Sequence, residues 1–309
     1  MKKILFYIQL HLSEHWEYGW RGVVFLVGFP IFVFACLLYN FATDFDIYFQ
    51  DSSFQWWGKA FFYAFPFFTV TLSYVFLLKK QAILKKPDFW LLSLLIVLVL
   101  FLNQYISLFD TNRFDSALRY FFKKLFFNVD CCIFYLLLPL GYWFLVHRKS
   151  HPEFHFYGLS SKGFDYQTYL FMLLVMLPLL YGVSFRADFL EMYPRYKAGM
   201  AEHFWGISPF WTVSTYELSY SLQFVCLEIF FRGFIVMALA KYLGSGAIWV
   251  MVAVYVFIHF NKPMFEAIGS FFGGYILGVI AYYSRSIYGG MFIHIGVALL
   301  MELFAFLQG

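Results

Sequence analysis

The sequence predicts an all-α protein, a polytopic transmembrane helical bundle with about eight or nine membrane segments. Three observations predict it. First, 62% of the 309 residues are hydrophobic and only 13% charged. Soluble domains carry roughly 25% charged residues, so this chain has too little polar surface to cover its own core and lipid must cover the rest. Second, long apolar runs recur near 22–41, 60–78, 89–106, 131–146, 168–185, 221–240, 246–260, 271–283 and 290–307. Third, those runs are continuous instead of alternating at period two, which points to helices and away from a β-barrel.

Taken in order, the chain begins MKKILFYIQLHLSEHWEYGWRG. Gln9, His11 and Glu14 interrupt its apolar stretch, so an interfacial amphipathic helix over 4–18, retained in the mature protein, is expected in place of a cleaved signal. Pro30, Pro66, Pro139 and Pro178 fall within apolar runs, where neighbouring helices satisfy the carbonyls they free. Lys2, Lys3 and Arg21 precede the first span. Lys79, Lys80, Lys85 and Lys86 fill the second connection, and Arg148, Lys149 and Lys162 the fourth. The first connection is acidic, with Asp44, Asp46 and Asp51 against Lys59. By the positive-inside rule the N-terminus lies in the cytoplasm, although Arg113, Arg119, Lys123 and Lys124 in the third connection run against the pattern. The 186–215 stretch mixes charge with aromatics and reads as an interfacial or re-entrant cover. No connection is long or apolar enough for a core of its own. The membrane domain is continuous: residues 1–205 form an amphipathic segment and accessory helices, and 206–309 carry the chemistry.

Composition excludes some classes. A formal charge of +4 with no basic tract leaves no nucleic-acid surface. Cys36, Cys131, Cys132 and Cys226 lack ligand spacing and read as small hydrophobes. No cofactor is expected.

The informative polar residues lie in the last apolar segments. Glu228 and Arg232 are four apart, on one helix face one turn apart, where carboxylate and guanidinium can meet. Gln223 lies five residues earlier. Glu217 lies eleven earlier, close to three turns, on nearly the same face if the helix extends that far. His259 closes an apolar approach with Tyr255 one turn before it. His294 sits inside the last run, with Glu302 beyond it. Gly269, Gly273, Gly274 and Gly278 thin the surface of the intervening helix for close packing.

A structural clamp is the plain reading of any one of these groups. Two imidazoles and a carboxylate on separate spans suggest more, because each buried imidazole needs a partner. The chemistry they support is water attack on a peptide carbonyl, with a carboxylate or histidine taking the proton and a histidine stabilising the oxyanion. Arg232 keeps Glu228 ionised, which suits Glu228 to orienting a neighbour more than to acting as a base. There is no H-E-x-x-H motif, yet Glu228, His259 and His294 form a candidate set for one divalent metal.

These residues resemble the CPBP group of intramembrane proteases, which includes the type II CAAX prenyl endopeptidases and the bacterial Abi-type proteins. That group carries Glu-Glu-x-x-x-Arg, Phe-x-x-x-His and His-x-x-x-Asn/Asp on successive helices. Here the runs read Leu227-Glu228-Ile-Phe-Phe-Arg232, Tyr255-Val-Phe-Ile-His259 and His294-Ile-Gly-Val-Ala298, over about 206–307. The resemblance implies a hydrolase, an intramembrane endopeptidase of a bacterial inner or plasma membrane, cleaving membrane-associated peptides or proteins. It implies catalytic roles for Glu228, His259 and His294 and supporting roles for Arg232 and Tyr255. Leu227 replaces the glutamate held to activate water, and Ala298 replaces the residue that helps hold the oxyanion. Glu228 or Glu217 would then serve as base. A catalytically inactive scaffold that binds peptide or lipid is the alternative those two departures suggest. A transporter is a third reading, weakened by the lack of an internal repeat.

Overall fold

The computed structural model describes residues 2–47, 55–148, 155–161 and 164–308. Asp51, Lys149 and Lys162, used above as topology signals, lie outside them. The fold is an all-α polytopic bundle, 85% helical, with no strand among the described residues. Its helices are α1 (Lys2–Trp16), α2 (Trp20–Thr43), α3 (Gln55–Leu77), α4 (Pro87–Tyr105), α5 (Ser116–Tyr142), α6 (Tyr166–Val183), α7 (Ala187–Met192), α8 (Met200–Trp205), α9 (Pro209–Glu228), α10 (Val236–Leu243), α11 (Ala247–Phe257), α12 (Met264–Ser284) and α13 (Tyr288–Gln308).

Eight segments are long and apolar enough to cross a membrane. The predicted run 221–240 and all but the last three residues of 246–260 fall in one of them, 209–257, which contains two helical passages. The chain reverses between them at Gly244, whose φ of 62° only glycine adopts without strain. α9 begins well before the apolar run because Ser208 caps it, accepting from the Phe210 N–H, and Pro209 takes the first helical position. Glu217 and Glu228 therefore do share a helix.

This segment is the centre of the protein. Its apolar window is 83% buried, whereas that of 166–183 is 11% buried and faces outward. α5 packs along α9, and α3 and α12 flank α11, so helices from the first 205 residues wall the C-terminal ones. Pro30, Pro66, Pro139 and Pro178 all sit inside helices, as expected.

Two expectations need correction. The N-terminal helix spans Lys2–Trp16, and it docks polar side inward. His11 and His15 are buried while Leu5, Phe6 and Trp16 are exposed. Hydrogen-bond partners on α11 and α12 hold the polar side and leave the apolar side outward. Of the four glycines on α12, only Gly274 and Gly278 pack closely, against Tyr255 and Met251; Gly269 and Gly273 face open space.

Candidate functional site

Glu228 is the last α-helical residue before a π-helical stretch, Ile229–Ile235. Such widened turns occur often at functional sites because they re-aim side chains that a regular helix would stack. Here Glu228 and Arg232, 0% and 1% exposed, lie with Oε1 and Nη1 2.8 Å apart. The same Oε1 lies 2.8 Å from His294 Nδ1 on α13.

That contact assigns the imidazole. A carboxylate only accepts, so His294 Nδ1–H donates to Glu228, and Nε2 accepts from the Tyr255 hydroxyl at 3.2 Å. Tyr255, from α11, is the junction of the site. Arg232 lies 4.1 Å from the centre of its ring, and the His259 ring packs 4.6 Å from it. His259 Nδ1 lies 2.7 Å from the Tyr255 carbonyl. A carbonyl also only accepts, so His259 donates through Nδ1, and Nε2 keeps its lone pair.

His259 and Lys262 stand in the turn between the spans 209–257 and 264–284. Burial pulls the His259 imidazole down to about 4 and the Lys262 ammonium down to about 8, in both cases against the charge of Glu266. His259 is therefore a neutral base at neutral pH. Lys262 Nζ sits 3.8 Å from Glu266, whose other oxygen accepts from Tyr193 Oη at 2.8 Å.

Several polar atoms of the centre have no aligned hydrogen-bond partner. They are Glu228 Oε2 and all three Arg232 nitrogens, so the Glu228–Arg232 pair holds by charge and proximity. Buried polar atoms are usually paired with protein or with ordered water.

Residues 209–300 are similar to the type II CAAX prenyl endopeptidase Rce1-like family. No curated protein and no solved structure matches the chain. The Rce1-like segment opens at the first residue of α9 and closes within α13, so it holds Glu228, Arg232, Tyr255, His259 and His294.

Within that segment the structure brings together Glu228, Arg232, Tyr255 and His294, with His259 joined through Tyr255. It does not bring in Glu217, whose neighbour is Glu302. Glu302 in turn accepts the Arg195 N–H at 3.1 and 3.0 Å. Eleven residues of helix separate Glu217 from Glu228 by roughly 16 Å, which rules Glu217 out as the stand-in base. The proposed metal set does not assemble either. His294 spends both nitrogens on Glu228 and Tyr255, His259 turns Nδ1 to its own helix, and no cluster of three such ligands forms among the described residues. Leu227 and Ala298, both buried, pack in the apolar core. Sequence reasoning missed the Tyr255 hydroxyl as a hydrogen-bonding group. Its signal was a tyrosine where the resembled motif carries phenylalanine.

Proposed function

We propose that the protein is an intramembrane endopeptidase that hydrolyses peptide bonds of membrane-associated peptides or proteins. What supports this reading is the hydrogen-bonded set Glu228–His294–Tyr255 hydroxyl, with the neutral His259 imidazole packed on the Tyr255 ring, its Nδ1 on the Tyr255 backbone carbonyl and its Nε2 lone pair free. His259 Nε2 takes a proton from water as the water oxygen bonds to the scissile carbonyl carbon. It returns that proton to the leaving amine as the C–N bond breaks. The Tyr255 hydroxyl, held by His294 Nε2 at rest, turns to the carbonyl oxygen as negative charge develops there. Glu228 and Arg232 fix the His294 ring and its tautomer.

The test is turnover of a quenched fluorescent peptide carrying a lipid anchor by the purified protein in lipid vesicles. His259→Gln should lower kcat by about 10²–10⁴-fold, the usual contribution of a general base. Full activity in both His259→Gln and His294→Gln would overturn the proposal. Leu227 and Ala298 favour a second reading, a peptide-binding scaffold. Saturable peptide binding by the wild type without turnover would select it.

A further inference from the structure

Glu228 is fully buried, and its two oxygens have different lives. Oε1 meets Arg232 and His294, while Oε2 has no hydrogen-bond partner. Oε2 lies against the bare Cα of Gly290 on α13. A Cβ at that position would come within 2.3 Å of Oε2 and 3.1 Å of the carboxyl carbon. Gly290 also stands four residues before His294, one turn away on the same helix face.

The neighbouring glycines show that this is not general helix thinning. Gly289 makes room for the Tyr169 ring and Gly296 for the Leu173 side chain, both on α6. Those neighbours are an aromatic ring and an aliphatic side chain. Gly290 alone on α13 faces a charged group, and one pinned by a 0%-exposed carboxylate that has little freedom to yield.

We infer that Gly290 is a positioning residue: the missing side chain sets where the Glu228 carboxylate stands and so holds His294 in the orientation that meets Tyr255. Any side chain at 290 drives Oε2 away from α13. Oε1 moves with it, because the carboxylate is rigid, and the His294 Nδ1 contact opens. The effect on turnover rests on the endopeptidase reading; the effect on the Glu228–His294 contact does not.

A double-mutant cycle separates the two. Gly290→Ala, Glu228→Asp and the combination are compared with wild type for kcat, KM and melting temperature. Gly273→Ala, where a methyl meets open space, is the control. Gly290→Ala should lower kcat by about 10²-fold, the scale of a 1 Å misplacement, with KM changed little and the melting temperature reduced. Glu228→Asp retracts the carboxylate by one methylene. In that background the added methyl should lower neither kcat nor melting temperature further. Additive losses in melting temperature across the cycle would overturn the inference, as would full kcat in Gly290→Ala. If the wild type shows no turnover, the endopeptidase reading fails while the melting-temperature cycle still decides the role of Gly290.

Discussion

Two of the buried polar clusters among the described residues each contain a pair of histidines. At the N-terminal helix, His11 Nδ1 meets Tyr275 Oη at 3.0 Å and His15 Nε2 accepts from Trp249 at 2.9 Å. His15 Nδ1 lies 2.8 Å from the His11 carbonyl, and Glu14 accepts from Ser245 and Tyr283. Every imidazole nitrogen and both Glu14 oxygens there have a protein partner. At Glu228 a carboxylate oxygen and a guanidinium stand without aligned partners. A satisfied polar network fixes one arrangement and locks α1 to the bundle. The presence of buried histidine says little; the state of its second nitrogen says much.

The sharpest way to break this contrast is Tyr255→Phe. It removes one hydroxyl from the Glu228 centre and should reduce kcat by about 10²–10³-fold, the range for losing one oxyanion donor. The melting temperature should fall modestly, because His294 Nε2 loses its partner while the ring and its contact with Arg232 remain. Unchanged kcat would make the centre as purely structural as the N-terminal knot.

The reverse pattern is expected of His15→Phe. Trp249 loses its acceptor, and stability should fall by about 1–3 kcal/mol, the penalty for an orphaned buried donor. Turnover per folded molecule should not change. A loss of kcat at constant folded fraction would show that the knot reaches the chemistry.

The smallest expected effect concerns pH. Burial lowers His11 from 6.5 to about 3 and His259 from 6.5 to about 4. Between those values and 6.5 the unfolded chain binds the extra protons, so stability falls as pH drops below 6.5 and is level above it. The melting temperature should follow that course. The activity ratio of His259→Gln to wild type should stay flat from pH 5 to 8, because His259 carries no charge change in that window. A ratio that rises steeply near 6.5 would place the titration of His259 there and remove it as a neutral base.

Much of the fold was legible. Continuous apolar runs announce helices in lipid because a backbone without water must satisfy itself locally. The four-residue spacing of Glu228 and Arg232 foretold their pairing for the same local reason. His259 and His294 were chosen on depth and on family resemblance, and both reach Tyr255. Glu217 was misplaced because sharing a helix face was weighed without the axial rise, which over eleven residues already separates the two carboxylates by roughly 16 Å. The polar face of α1 was misjudged because its partners Ser245, Trp249, Tyr275 and Tyr283 lie more than 200 residues away, where no local pattern can announce them.

By itself, then, the sequence determined the solvent of this protein, its helical class and the short-range pair Glu228–Arg232. Each follows from hydropathy or from spacing within a single helix. Tertiary structure alone decided which partner each histidine nitrogen meets, which of the α13 glycines faces charge, and that Glu302 is the neighbour of Glu217. Those outcomes depend on how α9, α11 and α13 are set against one another, and approach between helices has no period along the chain.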